Sequence, residues 1–83
     1  VHDFDNNGST LYPNPSVSGF TIDLGGDYDH VTVNVFDSNG KLIKSLKKMN
    51  ANKVVFQEEL ASGMYVIQVQ HEQFQKHFTF IQE

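Results

Sequence analysis

The side chains of this chain that could take part in catalysis are its four histidines and ten acidic residues. A nucleophilic triad needs a Ser or Cys beside a His and an orienting acid, but no catalytic motif surrounds any of the histidines, and we predict that all four are solvated surface side chains. The paired acids, Asp27 with Asp29 and Glu58 with Glu59, fall in predicted turns, where nothing separates the pKa values of two carboxyls as acid–base catalysis requires. We therefore predict no catalytic residues and no enzyme activity. The histidines are His2, His30, His71 and His77.

One segment has part of the pattern of a metal site. Residues 3–8, with the sequence DFDNNG, match the first half of a calcium-binding loop, in which oxygen ligands alternate and a glycine stands sixth. The second half does not match, because the twelfth position is Asn14, between two prolines, where the loop needs a bidentate Glu. We predict no metal ion and no cofactor, with calcium at residues 3–8 as the alternative.

Five lysines give the otherwise acidic chain a basic stretch. Lysines often protect an edge strand against pairing with another sheet, and we predict this role, with docking of an anionic partner as the alternative. Most aromatic residues follow the period of a strand and are predicted core, which leaves Tyr12 and Tyr28 as candidate surface contacts for a carbohydrate. The five lysines are Lys41, Lys44, Lys47, Lys48 and Lys53.

Length and composition indicate one small domain. The chain has 83 residues, of which 39% are hydrophobic, and no cysteine, so the core alone must stabilise it. A net charge of −4, with six lysines and no arginine, argues against a nucleic-acid partner, and no apolar run approaches the roughly 20 residues of a membrane span. We predict a flexible linker arm at residues 1–10 and a folded domain at residues 11–83, cut from a longer protein.

The elements that must position these side chains are predicted strands. Apolar residues recur at every second position in several short segments, which is typical of half-buried strands, and the pair Asn39-Gly40 is typical of a hairpin turn. The count is six or seven short strands without a long helix, which predicts an all-β, mainly antiparallel β-sandwich or small barrel. The segments are residues 20–24, 31–36, 41–48, 54–57, 65–70 and 74–81.

The order of the turn and strand motifs resembles a known family over residues 11–83. A Tyr-Pro-Asn-Pro element opens the domain, an Asn-Gly-Lys turn follows, a Gly-x-Tyr element begins a later strand, and the last strand carries a lysine. In this order the chain resembles the type A C-terminal sorting domain of the type IX (Por) secretion system of Bacteroidota. The residues that carry the resemblance are Tyr12, Pro13, Asn14, Pro15, Gly40, Lys41, Gly63, Tyr65 and Lys76.

The resemblance implies an Ig-like antiparallel β-sandwich of about seven short strands that acts as a non-catalytic secretion signal. It also implies a cargo domain on the N-terminal side, partners in the type IX translocation machinery, and a sortase-like peptidase that removes the signal. The location expected is the periplasm in transit, then the outer-membrane surface or the medium. Because a peptidase needs locally unfolded chain, we predict the cleavage region at Asn6, Asn7, Gly8 and Ser9.

Two other functions remain open from the sequence. One is a carbohydrate- or surface-binding Ig-like accessory module of an extracellular enzyme, in which Tyr12 or Tyr28 would contact the ligand. The other is a structural Ig-like spacer between domains.

Overall fold

The computed structural model describes residues 9–13 and 18–83, and five β-strands and no helix lie within them. The strands are β1 (Thr10–Pro13), β2 (Phe20–Phe36), β3 (Leu42–Phe56), β4 (Gly63–His71) and β5 (Phe74–Gln82). Every pairing among them is antiparallel. The prediction of an all-β, antiparallel fold is confirmed.

β2 is the strand around which the sheet is built. One of its edges pairs with β3 over nearly its whole length. Its other edge is shared, because residues 20–23 pair with β1 whereas residues 32–36 pair with β4, which in turn pairs with β5. The strand order is therefore β1-β2-β4-β5, with β3 on the far edge of β2.

The sheet curls so that its two halves enclose the core. The ring of Phe20, at the start of β2, stacks on Phe56 at 4.8 Å and lies 5.3 Å from the ring of Phe80 in β5. The strand period of two explains the rest of the core, since alternate residues of β2 and β4 point inward and are fully or nearly fully buried. These inward residues include Val31, Val33, Val35, Tyr65, Ile67 and Val69.

The predicted number of about seven strands is wrong for the part of the chain described, and the sandwich is not confirmed, because five strands form one connected sheet. Residues 25–29 were predicted as a turn, but β2 continues through them. Gly25, with φ of 77°, and a register shift between Asp23 and Tyr28 let the strand change direction without ending. In the same way β3 joins the two segments predicted at 41–48 and 54–57.

Candidate functional site

The first motif residues lie on the short strand β1. Tyr12 pairs with Thr21 and Pro13 pairs with Phe20, and both motif side chains are exposed. A proline lacks the N–H that an interior strand must donate, so its place on an edge strand is the expected one. The other two members of the element, Asn14 and Pro15, lie outside the described residues.

The second motif forms the turn between β2 and β3, and Asp37 holds it closed. The Oδ1 atom of Asp37 accepts hydrogen bonds from the backbone N–H groups of Asn39, at 2.9 Å, and Lys41, at 3.0 Å. Gly40 has a φ of 84° and donates its N–H to the Asp37 carbonyl. The turn fixes Lys41 through its backbone and leaves its side chain exposed.

The third motif begins β4. Gly63 is exposed and has a φ of 150°, and two residues later the ring of Tyr65 is buried. The Tyr65 hydroxyl donates a 2.6 Å hydrogen bond to the carbonyl of Ala61, in the loop before the strand. The buried ring therefore keeps a hydrogen-bond partner for its hydroxyl.

A hydrogen-bonded junction that the sequence did not indicate joins three distant segments. Gln82 Oε1 accepts from Ser18 Oγ at 3.2 Å and from the Gly19 N–H at 3.1 Å, and Ser18 Oγ accepts from the Leu60 N–H at 3.2 Å. We call these four residues the Gln82 junction. It ties the end of β5 to the start of β2 and to the loop between β3 and β4.

Three of the four motif elements lie at the end of the sheet that carries the Gln82 junction. Gly63 pairs with Gln82, Pro13 pairs with the residue after Gly19, and the 37–41 turn extends from the end of β2 that pairs with the start of β4. Lys76 lies apart, six residues before Gln82 and so about 20 Å away along β5. Its Nζ atom stands 5.9 Å from the centroid of the Phe78 ring.

His71 corrects the prediction that the histidines are solvated, because its side chain is only 4% exposed. The imidazole stacks on Phe74 at 5.2 Å and meets the edge of Tyr28 at 5.1 Å. Its Nδ1 atom accepts from the Gln73 N–H at 3.1 Å, which places the proton of the neutral ring on Nε2, 3.4 Å from Asp29 Oδ1. This hydrogen bond is the main cause that lowers the pKa of Asp29.

A row of polar side chains crosses the outer face of the sheet through four strands. Ser45 Oγ donates to Asn34 Oδ1 at 2.7 Å, and Asn34 Nδ2 donates to Gln68 Oε1 at 3.0 Å. Gln68 Nε2 lies 3.4 Å from His77 Nε2. The row joins β3, β2, β4 and β5 on the face opposite the core.

A groove lies beside Tyr28 in the described part of the chain. It has a volume of about 590 Å³ and lies at the register shift of β2, between residues 27–29 and residues 48–53 of β3. Its lining mixes carboxylates, amides and lysines, and the Tyr28 ring packs against Phe74. Neither a cluster of three or more His, Cys, Asp or Glu side chains suited to a metal nor a membrane-spanning helix occurs within residues 9–13 and 18–83.

The predicted cleavage region lies at the N-terminal limit of the described chain. Asn6, Asn7 and Gly8, like the calcium-loop residues 3–8, fall outside the described residues. Ser9 is buried, and its Oγ atom donates to the carbonyl of Leu24 at 3.3 Å. A peptidase would reach Ser9 only after this contact breaks.

The strand pattern and the motif positions agree with a comparison against known families. A family model described as the secretion system C-terminal sorting domain matches residues 10–82. The chain belongs to this family. No curated protein and no solved structure shows significant similarity to this sorting domain.

Membership of the family confirms the resemblance to the type IX sorting domain that the motifs indicated. The family is a non-catalytic one, whose members are carried by a cargo protein and recognised by the type IX machinery. The sorting domain therefore directs export to the outer membrane or the cell surface. Its match begins at Thr10, which is also the first residue of β1.

Proposed function

We propose that this sorting domain is the export signal of a cargo protein on its N-terminal side, and that it acts without catalysing a reaction. The domain passes through the periplasm, and the type IX translocation machinery recognises it. The observation that carries the proposal is the family match over residues 10–82. The gathering of three motif elements at the Gln82 junction supports a recognition surface at that end, with Tyr12, Pro13, Gly40, Lys41 and Gly63 on it.

We further propose that a sortase-like peptidase cuts the arm at residues 6–9 and that the cargo is then attached to the surface or released. Support for this step is the composition of the arm, since residues 5–10 contain no large apolar side chain. On this proposal residues 1–10 are the linker arm and residues 11–83 are the folded signal, although Ser9 and Thr10, at the end of the arm, already contact β2.

The test is a secreted fluorescent reporter fused to residues 1–83, expressed in a bacterium with a type IX system and in a translocon-null strain. We expect the reporter at the surface or in the medium of the intact strain only. Mass spectrometry of the exported reporter locates the cut, which should lie at residues 6–9. A reporter that stays in the periplasm of both strains while the domain is folded would overturn the proposal. In that case, glycan binding that is lost in Tyr12→Ala would favour a carbohydrate-binding module.

A matched pair of variants tests the surface at the Gln82 junction. Asp37 contacts Lys41 through the backbone, so Lys41→Ala leaves the turn intact, and we expect it to reduce export. Lys47→Ala removes an exposed lysine from the middle of β3 and should leave export unchanged. Equal export of both variants would exclude Lys41 from recognition.

A further inference from the structure

Three strands of the sorting domain form edges of its sheet, and two of them carry features that oppose pairing with another strand. Among the described residues, β1, β3 and β5 each pair with one neighbour. β1 has only four residues and ends in Pro13. Short length and proline are both common protections of a sheet edge.

β3 is protected by charge and by irregular pairing. Lys44 and Lys48 stand opposite the buried residues Val35 and Val31, so both lysines are on the core-facing side of the edge strand. The pairing of β3 with β2 also has two register shifts. Inward-pointing lysines and bulges keep a second strand away from such an edge.

β5 has only one of these protections, the single core-facing lysine Lys76, and lacks the others. Its nine residues pair with β4 without a register shift, and it contains no proline or glycine. On its outer face Ile81 stands opposite Met64, and these two side chains are 65% and 48% exposed. An edge strand with regular pairing and exposed apolar side chains at one end is a template for an added strand.

The core-facing row of β5 indicates which strand would fit. Phe74 and Phe80 are buried, whereas Phe78, between them, is only partly buried. Lys76 is the one lysine of β5, and its ammonium lies over the Phe78 ring. An acidic side chain beside Lys76 and an apolar side chain over Phe78 would complete this row.

We propose that β5 binds an extended segment of a partner protein as an added strand, with an acidic residue facing Lys76 and an apolar residue covering Phe78. This rests on the proposed function in so far as the partner belongs to the export machinery. The backbone hydrogen bonds between β5 and the added strand provide the affinity. The charge of Lys76 selects a strand with an acidic residue and fixes the register of that strand against β5.

The probe is an acetylated nonapeptide in which valine alternates with threonine and one valine is replaced by glutamate. Every threonine is methylated on its backbone nitrogen, so that one edge of the peptide cannot pair and self-assembly cannot go beyond a dimer. Titration into the ¹⁵N-labelled chain should shift the amide signals of β5 in a saturable way and leave those of β3 unchanged. A control peptide methylated at every backbone nitrogen should not bind.

A charge exchange tests the role of Lys76. We expect Lys76→Glu to weaken the glutamate peptide about tenfold, because an attractive pair becomes a repulsive one. A peptide with lysine in place of the glutamate should bind Lys76→Glu better than it binds the unchanged chain. Lys47→Glu makes the same change of net charge on β3 and should bind the glutamate peptide as before.

Three outcomes would overturn the proposal: no saturable change at millimolar peptide, changes on β3 rather than β5, or equal binding of the fully methylated peptide. The peptide experiment and the export experiment test the two proposals independently. If the peptide binds β5 but the reporter is not exported, the proposed function fails alone. If the reporter is exported and no peptide binds, the strand-addition proposal fails alone.

Discussion

Asp29 and His71 form a hydrogen-bonded pair, and the ionisation of Asp29 depends on the fold. The hydrogen bond from His71 is the largest cause that lowers the pKa of Asp29 below its ordinary value of 3.8, and a backbone hydrogen bond is the second; desolvation opposes them, and the nearby His30 adds a smaller lowering effect. Because the pKa is lower in the folded chain than in the unfolded chain, the pair stabilises the fold fully above the ordinary value. The contribution is lost as the pH falls through the lower folded value.

Removing the hydrogen bond should raise the pKa of Asp29 towards 3.8. His71→Phe keeps an aromatic ring against Phe74 but has no Nε2 donor, so the ionised carboxylate loses its main partner. NMR titration of the Asp29 carboxyl in both proteins measures the change. His77→Phe, a histidine on the outer face, serves as the control and should leave the titration unchanged. An identical titration in His71→Phe would show that the bond does not form in solution.

The burial of His71 could have been predicted from one signal that we did not use. Tyr65, Ile67 and Val69 alternate along the strand predicted at residues 65–70, and His71 is the next residue on the same face. The predicted strand stops at residue 70, and because histidine is only intermediate in burial, the prediction made His71 a solvated side chain. The Gln82 junction is a different case, because no local pattern relates Gln82 to Ser18, 64 residues away.

At the scale of the elements, the sequence predicted where strands lie better than where they end. Alternating apolar residues mark both halves of β2, and both are strand. The continuity across Gly25 depends on the register shift against β3, a pairing between segments far apart in the chain. Glycine pairs commonly end strands, so the same residues supported a wrong boundary.

The β2–β3 hairpin gives a test of local backbone conformation. Gly40 has a φ of 84°, and a Cβ there would meet no atom within 4 Å, so Gly40→Ala acts through backbone strain alone. We expect it to lower the free energy of unfolding by about 1–2 kcal/mol, and Gly40→Asn by less, because asparagine tolerates this conformation. Urea unfolding measures both.

Gly26→Ala is the matched control for Gly40→Ala. The added Cβ at Gly26 would lie 3.6 Å from the Tyr28 ring, an ordinary contact distance. It should leave the stability nearly unchanged. Equal losses in the two variants would mean that strain at Gly40 is not what the substitution measures.

At the scale of the whole molecule, the Gln82 junction should protect backbone groups far from β5. Gln82→Leu removes the acceptor for the Gly19 N–H and for Ser18 Oγ, which itself accepts from the Leu60 N–H. We expect hydrogen exchange at Gly19 to accelerate about tenfold, the equivalent of one hydrogen bond, with a smaller effect at Leu60.

The core and a second glutamine provide the controls for Gln82→Leu. The Val33 amide, in the buried centre of β2, should exchange at the same rate in both proteins. Gln75→Leu changes an exposed glutamine of the same strand and should leave Gly19 protected. If the Gly19 amide stays protected in Gln82→Leu, the junction does not hold the start of β2 against the end of β5.

Gly19 and Gln82 are 63 residues apart in the sequence, so a fixed interval separates the synthesis of the two residues. A ribosome adding about 5–20 residues per second needs roughly 3–13 s to go from the first residue to the second. Throughout that interval Phe20 lacks the ring of Phe80, and the Gly19 N–H lacks its acceptor. The contacts between the start of β2 and the end of β5 therefore form only after nearly the whole domain has been made, and a chain that stops before Gln82 lacks the acceptor for the Gly19 N–H.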